Sequence, residues 1–155
     1  MAAVYSPVSG ANFFAKRGEG AFYNDKKISV SQPKNIGNCL ILADYGGDRE
    51  PANLEKKINN VHRILEKARG VRTMGSAAMH CCYIASGWAD GFFEFGIHCW
   101  DYAAGYLIAL EAGAFCQSCD GSEVDLMARN IMICSNQTLA KELSSIISMV
   151  KYPRD

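Results

Sequence analysis

The hydrophobic period of this chain changes once, at Gln32-Pro33, and that change restricts the folds open to it. Before it, short alternating runs are separated by turn residues: Val4-Tyr5-Ser6-Pro7-Val8, Asn12-Phe13-Phe14-Ala15-Lys16, Gly20-Ala21-Phe22-Tyr23, then the turn Asn24-Asp25 and Lys26-Lys27-Ile28-Ser29-Val30. Such a series is an antiparallel meander. Its opening segment is already a strand, so one edge of the sheet lies open unless something covers it. After Gln32-Pro33, short apolar strands alternate with helical periods, which is the pattern of an α/β layer architecture.

In that second part, Cys39-Leu40-Ile41-Leu42-Ala43 is a buried-strand run. Residues 52–66 carry Leu54, Ile58, Val61 and Leu65 at the spacing of one helical face. The same reading predicts strands over 71–74, 89–95 and 131–134, and helices over 76–86, 101–112 and 136–149, the last capped by Asn136. No internal repeat or linker interrupts the chain. With 155 residues, of which 49% are apolar, one sizeable core and one domain over 1–155 are expected.

Sixteen basic residues balance sixteen acidic ones, so no overall field favours nucleic acid or an anionic membrane. No apolar run approaches the length that spans a bilayer. Seven cysteines, an odd number scattered through apolar segments, fit small buried hydrophobes in a reducing compartment, and the expectation is a cytoplasmic protein. Cys116-Gln117-Ser118-Cys119 has the spacing of a redox dithiol, but Asp120-Gly121-Ser122 follows it as a turn, where a redox centre has a helix N-terminus.

Chemistry concentrates in Glu94-Phe95-Gly96-Ile97-His98-Cys99-Trp100-Asp101-Tyr102-Ala103-Ala104-Gly105. Asp101 stands at the predicted start of a helix, where oriented amides hold a carboxylate in one direction, as a hard divalent cation requires. The small residues after it let the helix approach a neighbouring strand closely. By spacing alone, an ordinary N-cap aspartate explains Asp101 better than a metal ligand does. At Met74-Gly75-Ser76-Ala77-Ala78, glycine and a hydroxyl precede an alanine-rich helix whose free amides can donate to an anion or a polyol; an ordinary N-cap serine explains this equally well. His98 reads as a structural or supporting histidine, and His62 and His80 form no metal-binding cluster.

The run Gly96-Ile97-His98-Cys99-Trp100-Asp101, continuing through an Ala and Gly-rich helix to Glu111-Ala112-Gly113, resembles the second signature of the inositol monophosphatase family. Val4 to Val8, Arg17-Gly18-Glu19-Gly20-Ala21-Phe22 and Asp125-Leu126-Met127-Ala128-Arg129 resemble the same family in the same order, so the likeness covers essentially the whole chain. It implies an α/β fold, a layered mixed β-sheet with flanking helices, forming the C-terminal half of the sugar-phosphatase α/β/α/β/α sandwich. It implies that Asp101 binds Mg2+ close to the substrate, that Glu94 bonds a hydroxyl of the inositol ring, and that Gly75, Ser76 and Ala77 contribute to substrate binding. Ser76 departs from the family's usual threonine but keeps the hydroxyl.

Magnesium-dependent hydrolysis of inositol monophosphate is the implied activity, with lithium sensitivity and dimers as family properties. Phosphate monoester hydrolysis needs a cluster of carboxylates, and the family's Asp-Pro-Ile/Leu-Asp-Gly-Thr motif is not found in this chain. The expectation is therefore a C-terminal half, whether fragment, short isoform or truncated gene model, with little activity alone. Two alternatives stand beside it: a silent short form that pairs with full-length subunits through its open strand edge, and a related phosphatase acting on fructose bisphosphate or an adenosine bisphosphate.

Overall fold

The computed structural model describes residues 1–155. Four strands, β1 (Ala2–Ser6), β2 (Ala11–Lys16), β3 (Gly20–Tyr23) and β4 (Lys26–Ile28), pair in sequence order as the expected antiparallel meander. Asn24 and Asp25 both take positive φ, 42° and 65°, and Tyr23 pairs with Lys26 across them. That left-handed pair matches the twist of a two-residue hairpin, which is why short polar residues stand there. One face of β2 buries Ala11, Phe13 and Ala15. β1 lies at the sheet edge.

The second sheet holds β5 (Leu40–Ala43), β6 (Gly70–Arg72), β7 (Gly91–Phe95), β8 (Phe115–Gln117) and β9 (Asn130–Cys134) in the order β6-β5-β7-β9-β8. β5 runs parallel to β6 and β7, whereas β9 is antiparallel to β7 and β8, so the sheet is mixed. Four helices accompany it: α1 (Pro51–Leu65), α2 (Ala77–Ala85), α3 (Cys99–Glu111) and α4 (Gln137–Ile146). α2 and α3 pack on each other between the two sheets, with α3 against the meander and α2 against β7 and β9. α1 and α4 pack together on the opposite side, against β6, β8 and β9.

This layering creates two apolar cores on either side of the mixed sheet. Phe92, Ile131 and Ile133 point to the α2/α3 side with Phe13, Cys81 and Tyr102, and Phe93, Phe95 and Met132 point to the α1/α4 side with Ile64, Leu139 and Leu143. Every residue of β7 is buried, as a central strand covered on both faces must be. At about 1.5–3 kcal/mol for each large apolar side chain removed from water, these two faces outweigh any local propensity in the short strands.

The small-residue stripe of α3 meets a helix where a strand was expected. A Cβ added to Gly105 would lie 2.6 Å from the Cβ of Cys81 on α2, so glycine is what permits this approach. At the end of α3, Glu111 accepts the backbone N–H of Gly18 and of Gly20, both at 3.0 Å, and ties the meander's second turn to the helix.

α1 departs from the sequence reading. Ile58 and Leu65 are more than half exposed, and the buried positions are Lys57, Asn60 and Ile64. Hydrogen bonds rotate the helix this way: Lys57 Nζ donates to Tyr45 O at 2.7 Å, and the Asn60 side chain both donates to Ser148 O and accepts from Ser148 N. These bonds fasten the loop after β5 and the chain after α4, two segments that the periodicity of α1 does not register. β8 was not predicted either. With only three residues it carries too short a pattern, and pairing with β9 makes it a strand.

Candidate functional site

Because β5 and β7 are parallel, their carboxyl ends open on the same side of the sheet, and ligands in α/β folds bind at such ends. The amino ends of α2 and α3 reach the same place. Together they enclose a cleft of about 1060 Å³, and all five residues anticipated from sequence, Gly75, Ser76, Ala77, Glu94 and Asp101, line it.

Gly75 adopts φ +77°, a conformation that favours glycine, and its N–H donates to Asp44 Oδ2 at 2.8 Å. Ser76 is the N-cap of α2, its hydroxyl accepting from Met79 N at 3.4 Å. The first-turn amides of a helix have no carbonyl one turn earlier to bond, and those of α2 are therefore the natural donors at this wall.

Glu94 sits near the end of β7 and is 5% exposed, with Oε2 buried and without a hydrogen-bond partner. Burial pushes its carboxyl up to about 8; the negative charges of Asp44 and Asp101 push in the same direction, and Lys57 opposes them. A buried acceptor left without a partner costs about 1–3 kcal/mol. Without a cation the Glu94 carboxyl therefore keeps its proton at neutral pH, and a cation in the cleft would relieve the repulsion that opposes its ionisation.

Asp101 is not the N-cap of α3. His98 takes that position, and Asp101 stands three residues later with its Oδ2 accepting the His98 N–H at 2.8 Å. This is the reciprocal half of a capping box, and it fixes the carboxylate at the cleft wall. His98 also works through its ring: it stacks on Trp100 at 4.5 Å, lies 2.7 Å from Asp155 Oδ1 through Nδ1, and 3.3 Å from Arg129 through Nε2. Trp100 itself is 73% exposed, so this tryptophan is part of the rim and not of the core.

No group of three or more His, Cys, Asp and Glu side chains is arranged to hold a metal by itself. A Mg2+ ion commonly takes one or two protein carboxylates and completes its octahedron with water and phosphate oxygens, and Asp101 suits that limited share.

The cleft residues outside the set read from sequence include Asp44, Asp48, Arg129 and Tyr152. Asp44 directly follows β5, and Glu94 stands one residue before the end of β7, so the strand pattern of residues 39–43 could have pointed to it. Tyr152 carries no local signal, since the chain from 147 to 155 forms no helix or strand. Cys116 and Cys119 make no redox centre: burial pushes the Cys116 thiol up to about 12 and raises that of Cys119 as well. All seven thiols are free, five of them buried.

The family model "Inositol monophosphatase family" matches residues 1–151. Inositol monophosphatase 1 of Homo sapiens is 35% identical over 153 residues, covering 98% of this chain and 55% of that protein. Inositol monophosphatase 2 of Homo sapiens is 37% identical over 144 residues, covering 92% of the chain and 50% of that protein. Among solved structures, the extragenic suppressor protein suhB from Bartonella henselae superposes with a TM-score of 0.84 at 30% identity, covering 93% of this chain and 54% of that one. An IMPase from Thermotoga maritima superposes with a TM-score of 0.82 at 26% identity, again over 93% and 54%. The chain thus spans about half the length of the curated relatives it matches.

Proposed function

The chain belongs to the inositol monophosphatase family, and from that membership we propose that it supplies the polyol-binding part of a magnesium-dependent phosphatase that hydrolyses inositol monophosphate to inositol and phosphate. One observation carries this reading: the buried, unpartnered Oε2 of Glu94 shares a cleft with the capped carboxylate of Asp101 and the amino end of α2.

Asp101 is the residue that would hold Mg2+. When bound, that ion neutralises phosphate charge and activates water. Asp101 is held for this task by the His98 N–H, so its carboxylate does not have to be ordered on binding. Gly75, whose N–H is held by Asp44, shapes the turn, and the free amides at Ser76 and Ala77, at the amino end of α2, donate to the ester's oxygens without a bulky side chain in the way. Glu94 accepts a ring hydroxyl at Oε2. A site built around such a bond rejects an analogue lacking the hydroxyl, by up to about 10⁴-fold in favourable cases, because the carboxylate is then left alone.

Hydrolysis itself we assign to the whole protein, with the 155-residue chain contributing binding and little turnover. Calorimetric titration with myo-inositol 1-phosphate and Mg2+ tests the assignment. Binding that is weakened in both Asp101→Asn and Glu94→Gln supports it, and the absence of Mg2+-dependent binding to the wild-type chain rejects it. Turnover by the 155-residue chain that Asp101→Ala abolishes would overturn the division of labour.

A second reading has its own observation, the open edge of β1. A chain that adds a strand there would pair this protein with a full-length subunit or a second copy. Co-purification with full-length subunits supports this, and a monodisperse monomer in their presence counts against it. No helix is long and apolar enough to cross a membrane.

A further inference from the structure

The chain that enters α2 is fastened to the neighbouring strand. Two residues of the loop between β6 and α2 reach the carboxyl end of β5: Thr73 Oγ1 donates to Ala43 O at 2.8 Å, and Gly75 N–H donates to Asp44 Oδ2 at 2.8 Å. Gly75 stands at positive φ directly before Ser76, the cap of α2, so its bond to Asp44 fixes the direction in which the helix sets out. Asp44 thereby orients the amino end of α2.

A second side chain approaches the same oxygen from α2 itself. His80, whose N–H bonds Ser76 O, is fully buried and packs edge-to-face with Phe92 of β7, ring centres 4.9 Å apart. Neither ring nitrogen has a hydrogen-bond partner, and Nε2 lies 4.0 Å from Asp44 Oδ2. Burial lowers the pKa of this ring against the opposing pull of Asp44, so at neutral pH it carries a single N–H. A carboxylate facing Nε2 selects the tautomer with the proton on that nitrogen, because the other sets a lone pair against a negative charge. At 4.0 Å the contact is an electrostatic attraction and not a hydrogen bond. Two donors, the Gly75 amide and the His80 ring, thus draw on one oxygen.

We propose that Asp44 and His80 are positioning residues of the ester site: Asp44 holds the Gly75 turn so that the free amides of Ser76 and Ala77 face the cleft, and the His80 ring N–H keeps the Asp44 carboxylate in place for that bond. The proposal rests on the phosphatase reading above and adds to it the two residues that hold its amide wall. Amides already oriented before the ester arrives spare binding the cost of ordering them. His80 does not line the cleft, so its effect on binding runs through Asp44.

The test is calorimetric binding of myo-inositol 1-phosphate with Mg2+ to the whole 155-residue chain and its variants, each checked for native circular dichroism. Asp44→Ala is expected to weaken binding about tenfold, as loss of one orienting hydrogen bond would, and Asp44→Asn, whose amide oxygen still accepts the Gly75 N–H, by less than about threefold. His80→Phe keeps a ring and loses the donor, and should weaken binding by about threefold or more, whereas His80→Gln, which restores a donor near Nε2, should recover most of the loss. Rescue by glutamine and not by phenylalanine separates positioning from the filling of space. The nitrogen magnetic resonance spectrum of the wild-type His80 ring should place its proton on Nε2, and a proton on Nδ1 overturns the part assigned to His80. Unchanged binding in Asp44→Ala, or equal binding in His80→Phe and His80→Gln, overturns the proposal while leaving the phosphatase reading intact. Should Asp44→Ala fail to fold, Asp44→Ser, too short to reach Gly75, is read by the same criterion. A wild-type chain that binds no ester removes the phosphatase reading itself, and the proposal with it.

Discussion

The backbone N–H of His98 donates to Oδ2 of Asp101 at 2.8 Å, so one carboxylate both closes the amino end of α3 and faces the cleft. On the proposed reading the helix end and the ligand share this group, and substitutions can separate the two. The other oxygen and the charge remain for a ligand, while the bonded oxygen serves the helix.

Asp101→Ala should lower stability by about 0.5–2 kcal/mol through loss of the helix-end bond, and abolish Mg2+ binding. Asp101→Asn should lose Mg2+ affinity while keeping most of the stability, because an amide oxygen still accepts the His98 N–H. Chemical denaturation paired with Mg2+ titration measures both quantities. Equal loss of stability in the two variants would show that the charge, and not the bond, supports α3.

Glu94 gives a pH dependence of definite sign. Its carboxyl is pushed from 4.5 to about 8, by burial first and then by Asp44 and Asp101. Below about 4.5 the folded and unfolded forms both keep the proton, and the group contributes no pH dependence. As pH rises from there to about 8, the unfolded chain releases the proton and the folded chain retains it, so stability falls, and it levels off above that value. Glu94→Gln should remove this fall and be more stable than wild type at pH 8, by up to a few kcal/mol in the absence of divalent cation. Melting curves across pH 4 to 9 decide it.

Gly105→Ala sets two effects against each other. Alanine in a helix interior gains up to about 1 kcal/mol over glycine, yet its Cβ would meet Cys81 Cβ at 2.6 Å and Ala78 O at 3.0 Å. Overpacking of this kind costs about 1–3 kcal/mol, so net destabilisation is expected in denaturant unfolding. Cys81→Ala should not rescue it, because the nearest atom met is the Cβ that alanine keeps.

Thiol labelling should follow the layers. Cys39, Cys81, Cys82, Cys119 and Cys134 are buried and should react with iodoacetamide only on unfolding, while Cys99 at the start of α3 should label first. Cys116 is partly exposed, but burial raises its thiol to about 12 and leaves little thiolate at neutral pH. Mass spectrometry of the native protein checks the order, and early labelling of Cys119 would contradict the buried arrangement around β9.

Much of the site was legible because its residues lie in short, dense stretches of sequence. Gly75 to Ala77 and Glu94 to Asp101 each combine a strand end or turn with a helix start, so local pattern alone places them at element termini. Their meeting in one cleft is a property of the parallel pairing of β5 and β7, which no window of sequence contains. The exact place of Asp101 within its helix also escaped, since a capping histidine is not a usual N-cap signal.

By itself the sequence determined the meander and the alternation of strands and helices, because hydrophobic period and turn chemistry act over a few neighbouring positions, and its likeness to a family pointed to residues that line the cleft. Tertiary structure alone decided which face of α1 is buried, that Phe115 to Gln117 form a strand, and that Tyr152 crosses the cleft to Asp48. Those outcomes depend on hydrogen bonds and packing between positions such as 60 and 148, or 48 and 152, that only the folded chain brings together.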